Sequence, residues 1–235
     1  MAELNFSLRL PRNGALPFTI AERTRRVYDS LAAVYPASTF FFHSKAHSLA
    51  LRHSGIEDGM RVLEIATGSG EMFRRLVAAN PSGTTFGLDL SPNMAARTQR
   101  HARRKFPTAI SHCGAVDARH MPFPDASFHA VVCCYLFELL CEEDIRRTLR
   151  EIHRVLRPGA TFSLVLIGQN VEFFNRAYEI AGNLVPAFWG RQVESAVPRM
   201  VAESGLCVEK NHFVRQGFYP SRVLVFRKPV DGTAY

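Results

Sequence analysis

A chain of 235 residues, 47% apolar and 21% charged, is long enough to bury a sizeable core and has the balance of an ordinary globular protein. No apolar run reaches the ~18 residues that a membrane helix needs, since the longest, Phe128 to Leu140, is interrupted by His129 and Glu138. The net charge of +8 invites a nucleic-acid partner, but much of it lies in Arg97–Lys105 and Ile145–Arg157, where arginines alternate with apolar residues at helical spacing and make a solvated outer face. No nucleic acid is therefore expected, and at most peripheral contact with a membrane.

In chain order, residues 1–55 read as a loose arm followed by a helical cap. Two helices are expected there, broken near Pro36, with Ser38 or Thr39 capping the second. The opening residues lack the basic start, apolar stretch and small-residue cleavage site of a signal peptide, so a cytoplasmic protein is expected. From Met60 strands and helices alternate. Strands are expected at 60–66, 84–90, 108–114, 127–135 and 161–168, and helices at 70–79, from Ser91 as N-cap with Pro92 at the first position, and at 142–156. The run "SFHAVVCCY" is apolar throughout, as suits a strand buried on both faces. An aromatic-rich insert follows at about 169–193, and the chain then offers an antiparallel strand pair. This alternation predicts an α/β fold, doubly wound on a mostly parallel sheet, within a core spanning 56–235.

The five cysteines, 113, 133, 134, 141 and 207, are odd in number and form no C-x-x-C pair, so neither a disulfide framework nor a metal site is expected. The chemistry gathers instead at "VLEIATGSGEM", Val62 to Met72. Small residues after a strand let the backbone approach a ligand, and the following helix offers free N–H groups. A pyrophosphate would profit from that arrangement but would have no use for Glu64, two residues before Ala66. A carboxylate there suits a ligand with an amino group. Asp89, 21 residues beyond Gly68, ends the second strand where an acid can accept from a ribose diol. Asp117 follows the third strand, placed to receive the exocyclic amine of an adenine. An amine, a ribose and a base together describe S-adenosylmethionine better than a dinucleotide. A nicotinamide enzyme would want a third glycine where Arg74 and Arg75 stand.

With "FGLDLSPNM", "VDARHMPFPDASFHAVVCC" and "LREIHRVLRPGATFSLV" added in order, the chain resembles the class I S-adenosylmethionine-dependent methyltransferases, and within them the ubiquinone/menaquinone-biosynthesis type, over roughly residues 20–168. "RRVYDSLAAVYP" resembles the opening of that group. The resemblance implies a seven-stranded sheet with an antiparallel edge strand, S-adenosyl-L-methionine as cofactor, and a small-molecule or lipid-like methyl acceptor. It implies a methionine-side loop of Glu64, Ala66, Thr67, Gly68 and Gly70, with Asp89 at the ribose, Leu90 and Met94 beside the adenine, and Asp117 and Ala118 at its edge. Cys134 and Tyr135 line the strand-four exit. Ala66 stands where a first glycine is usual, His129 where an aspartate is, and Pro36 replaces an aspartate of the opening motif.

Sulfonium methyl transfer needs a base only if the acceptor must lose a proton. The candidates are Tyr28, His43 and Glu138, with Tyr35, His47 and His212 behind them. The aromatic insert, with Phe173, Phe174, Tyr178, Phe188 and Trp189, suits an apolar or aromatic acceptor. The alternative is a cofactor-binding relative with another activity or none, or a lipid or nucleic-acid methyltransferase. The strand-four exit carries "CCYLFE" rather than the Asn/Asp-Pro-Pro-Tyr/Phe element of amino-methylating nucleic-acid enzymes.

Overall fold

The computed structural model describes residues 35–169, 192–217 and 219–230, with side chains from His43 onward. The loose arm, Tyr28, and nearly all of the aromatic insert lie outside the described residues. A single helix, α1 (Tyr35–His53), opens the described chain. Pro36 lies in its first turn, where a missing N–H costs nothing, so the helix starts at Tyr35 and not at Ser38 or Thr39 as expected; the first of the two expected helices lies outside the described residues.

The alternation that follows is β1 (Arg61–Ile65), α2 (Glu71–Ala79), β2 (Thr84–Asp89), α3 (Pro92–Lys105), β3 (Ile110–Ala115), β4 (Phe128–Cys134), a short 3-10 turn (Phe137–Leu139), α4 (Glu142–Val155) and β5 (Leu156–Ile167). Beyond the insert come α5 (Val197–Glu203), β6 (Cys207–Gln216) and β7 (Tyr219–Arg227). Seven strands form one sheet in the order β3-β2-β1-β4-β5-β7-β6. The first five are mutually parallel, while β7 runs antiparallel between β5 and β6, making the hairpin at that edge.

Local chemistry explains each piece. The Ser91 hydroxyl accepts from the Met94 N–H at 3.2 Å and Pro92 occupies the first turn, so α3 starts where expected. On α2, Phe73, Leu76 and Val77 are buried; on α4, Ile145, Leu149 and Ile152 are, with charged residues outward. β4 is buried between β1 and β5. β5 begins earlier than expected: the chain turns at Gly159 (φ 77) and pairing with β4 runs on through a register shift to Leu156.

Residues alternate across β1. Leu63 and Ile65 join the larger core, where Phe128, Phe162, Leu149 and Met200 also lie. Val62 faces the other side, against Ala46 and Ala50 of α1 and Met72 and Leu76 of α2. Glu64 shares the parity of Val62 and so projects into the layer of α1 and α2. Among the described residues no helix is long and apolar enough to cross a membrane.

Candidate active site

β1 leaves the sheet through a turn whose backbone is left-handed at three places: Ala66 (φ 59), Gly68 (φ 49) and Gly70 (φ 73). Alanine at such an angle is strained by roughly 1–2 kcal/mol, and the turn is held by a set of hydrogen bonds. The Thr67 N–H donates to Leu88 O at 3.0 Å, and the Gly70 N–H to Thr67 O at 2.7 Å. A Cβ on Gly70 would lie 2.7 Å from the Thr98 hydroxyl, so that glycine lets α2 and α3 meet. A Cβ on Gly68 would find nothing nearer than Ala66 O at 4.0 Å, which leaves an open cradle over the turn.

Asp89 closes this arrangement from β2. Its Oδ2 accepts from the Gly68 N–H at 2.7 Å and its Oδ1 from the Ser91 N–H at 2.9 Å. One carboxylate thus fixes both the glycine turn and the start of α3. Glu64 is buried, and its Oε2 has no hydrogen-bond partner. Burial first, and then the neighbouring Asp89 charge, push its carboxyl well above the usual range, with Arg74 opposing. A buried acid with a raised carboxyl and an unpartnered oxygen, beside an open turn, is a place that suits an amino group.

Ile65, Ala66, Asp89, Leu90, Asp117 and Ala118 line one cleft at the carboxyl ends of the strands. Leu136 and Leu140, rather than Cys134 and Tyr135, complete it from the β4 side. Met94 is buried beneath α3, and the Thr67 side chain turns inward, its hydroxyl 3.6 Å from Cys113 Sγ. Burial pushes the Cys113 thiol up to about 12, so it stays neutral. The Asp117 carboxylate is engaged from within: Arg119 Nε lies 3.0 Å from both of its oxygens, and Arg119 also reaches Asp144 of α4 at 3.0 Å. Burial raises the Asp117 carboxyl, but the Arg119 bonds outweigh it and hold it below the usual range. Arg119 thus stands where an adenine amine was expected.

Tyr135 leaves β4 with a left-handed backbone (φ 56). Its ring stacks on His43 of α1 at 4.1 Å, and its hydroxyl lies 2.7 Å from Ser221 Oγ on β7. Cys134 packs against the same layer, its thiol pushed well above the usual range by burial. Of the base candidates, His43 is lowered to about 3 by burial and by His47, which leaves a neutral imidazole. His47 sits 3.6 Å from Glu71 Oε2, while Arg75 holds Glu71 Oε1 at 2.8 Å. His212 stacks on His53 (4.4 Å) farther along α1, more than a turn from His47. Glu138 is buried between the carboxyl ends of β4 and β5, its Oε1 accepting from the Ile167 N–H at 2.7 Å and its Oε2 unpartnered. Burial raises it to about 7, with Glu194 adding. The described residues hold no cluster of metal-ligating side chains, and all five cysteines are free.

The bridge from Arg119 and the buried Glu71–His47 pair were not anticipated. A signal existed for each: an arginine two residues after Asp117, and an acid opening α2 with Arg75 four residues on.

Residues 62–159 match a family model described as a methyltransferase domain. Among characterised relatives, 2-phytyl-1,4-naphtoquinone methyltransferase of Nostoc punctiforme is 26% identical over 62% of this chain, and the chain spans 65% of that protein. The ubiquinone/menaquinone biosynthesis C-methyltransferase UbiE of Cellvibrio japonicus is 28% identical over 78% of this chain and 76% of its own. Among solved structures, a Haloferax volcanii complex with the Trm112 methyltransferase activator superposes with a TM-score of 0.74 at 20% identity, over 90% of this chain and 100% of the other, a likeness of fold. With the glycine turn, its two acids and the seven-stranded sheet in place, these matches show a methyltransferase domain over residues 62–159 and make the chain similar to S-adenosylmethionine-dependent methyltransferases of the quinone-biosynthesis type.

Proposed function

We propose that this chain transfers a methyl group from S-adenosyl-L-methionine to a small apolar acceptor of quinol or phenol type. The observation that carries the reading is Glu64: a buried acid with a raised carboxyl and an unpartnered oxygen, next to an open glycine turn that Asp89 pins. That donor set suits a ligand bearing both an amino group and a ribose. When bound, the cofactor supplies an electrophilic methyl on a sulfonium sulfur.

The chain's own contribution is placement. Glu64 and the Ala66–Gly70 turn hold the amino-acid end, and Asp89 offers its remaining acceptor sites to a diol. Leu90, Ala118 and Leu136 give the base an apolar slot, with Arg119 keeping Asp117 oriented at its rim. Fixing the reacting groups in line contributes within the ~7–11 kcal/mol available from proximity. Of the described candidates, Glu138 is the base we favour. It lies at the strand ends and titrates near neutrality, so its carboxylate can take the proton that an acceptor carbon or hydroxyl must lose. His43, at about 3, is too weak a base and instead props Tyr135.

The quinone chemistry printed in the relatives' names supports the choice of acceptor. We place the reaction in the cytoplasm, with peripheral membrane contact at most where the acceptor is a lipid. The test is incubation with methyl-labelled cofactor and a panel of hydrophobic quinols, phenols and thiols beside polar amines. Label in a quinol or phenol product is expected. Label in polar amines alone overturns the acceptor class, and absence of cofactor binding overturns the whole reading.

A further inference from the structure

The excess positive charge is not spread evenly over the molecule. On α4 three of the four arginines are neutralised: Arg146 meets Glu142 at 2.9 Å, Arg147 meets Glu143, and Arg154 meets Glu151 at 2.7 Å. On α3 the pattern is the opposite. Arg97, Arg100, Arg103, Arg104 and Lys105 make no ion pair with an acid among the described residues. Arg97, His101, Arg104 and Lys105 fall four, seven and eight positions apart, on one helix face. Across from them stands Arg74 of α2, half-buried, its guanidinium donating to Ser69 O at 3.3 Å.

These side chains and Ser69 enclose a cleft of about 400 Å³ between α2 and α3. It shares no lining residue with the cleft that Asp89 and Asp117 line, although Ser69 belongs to the glycine turn. Its residents repel one another: Arg97 and Arg74 add to burial in driving His101 below its ordinary range. Four unpaired cations in one concavity are an arrangement that an anion relieves.

We infer that this cleft binds a compact phosphate-bearing polyanion, a pyrophosphate or terminal phosphomonoester group. Three guanidinium forks facing a hollow match phosphate oxygens two at a time. A duplex or single strand would call for a long stripe or a stacking platform. The cleft instead is a pocket between two helices, with no phenylalanine, tyrosine or tryptophan among its lining residues. The phosphate group has two sources, a soluble pyrophosphate compound or a phosphorylated lipid head. The inference does not depend on the methyl-transfer reading, since the cleft and its ligand touch no acceptor.

The test is calorimetric titration of the full chain, without cofactor, with inorganic pyrophosphate at low ionic strength. Saturable one-to-one binding with Kd below ~1 mM is expected, weakened at least ~10-fold in R97Q/R104Q and unchanged in R147Q, whose arginine is paired on α4. The single variant R104Q, at an exposed position, repeats the test should the double variant misfold. Sedimentation with phosphatidic acid vesicles, against phosphatidylcholine vesicles, separates the sources: capture that pyrophosphate reverses assigns the lipid head, and pyrophosphate binding without capture assigns the soluble compound. Absence of saturable pyrophosphate binding overturns the inference. So does an equal loss in R147Q, which would reveal a response to net charge alone, and so does binding of single-stranded RNA in pyrophosphate's place.

Discussion

Replacing Glu138 by glutamine separates the cost of a buried acid from its use. The folded protein raises this carboxyl from 4.5 to about 7, chiefly through burial, with the Ile167 N–H as its one backbone donor from β5. A carboxyl raised by folding contributes its full stability below the unfolded value. That stability is lost as pH climbs towards the folded value, because the unfolded chain ionises first. The window is therefore pH 4.5 to about 7. At roughly 1.4 kcal/mol per pH unit, ionisation costs the wild type about 3 kcal/mol across it. Glutamine keeps the carbonyl for Ile167 and cannot ionise. The Glu138→Gln protein should match the wild type within about 1 kcal/mol at pH 4.5 and exceed it by about 3 kcal/mol at pH 8, read from urea midpoints of both proteins in parallel. The same variant should lose methyl transfer if Glu138 is the base, while cofactor affinity stays unchanged. A stability difference between the two proteins that does not vary with pH refutes the reasoning, for it would mean the carboxyl is not held neutral.

Asp89→Ala removes the acceptor for both the Gly68 and Ser91 N–H groups and should weaken S-adenosylmethionine binding by ~1–3 kcal/mol in calorimetry; unchanged affinity contradicts the assignment. An ammonium group arriving at Glu64 should lower its raised carboxyl and expel up to about one proton. Calorimetry at pH 7 in two buffers of different ionisation enthalpy detects it, and identical heats would sink the idea. Ala66→Gly relaxes a left-handed alanine and should be neutral or stabilising by up to ~1 kcal/mol despite the added freedom of the unfolded chain, whereas Ala66→Val should destabilise in thermal melts. Gly87→Ala sets a methyl 2.7 Å from Thr67 Cγ2 and 2.8 Å from Phe73 Cε2, and overpacking should cost ~1–3 kcal/mol. Thr67→Ser in that background should recover part of the loss.

Much of this architecture was legible because each signal was local. Ser91-Pro92 carries its own capping chemistry, and β4 needed only a continuous apolar run to declare itself buried. The order of the glycine turn, Asp89 and Asp117 along the chain put Ala66, Asp89 and Asp117 at one cleft, since parallel strands deliver their exits to one rim. What stayed hidden depended on partners distant in the chain. Arg119, bonded locally to Asp117, also bridges to Asp144, 25 residues away, which the sequence does not show. The start of α1 lies at Tyr35 and not at Ser38 or Thr39, since proline itself suits the first turn of a helix. The extension of β5 back to Leu156 hides in residues that read as a stop, because its pairing with Phe128 is decided by the sheet. The split of the arginines into paired and unpaired sets was equally out of reach, since α3 and α4 look alike as strings of basic residues.

The stacking of His43 on Tyr135, and the anchoring of Tyr135 to Ser221, reach beyond the side chains involved. Ser44 and Gln216, 172 positions apart, are bonded in the same region, so the first helix and the final hairpin are stitched together alongside the glycine turn. Contacts of such long separation form late, after the intervening chain has been gathered. The five parallel strands can therefore come together before the hairpin that stands behind Tyr135 is joined to them.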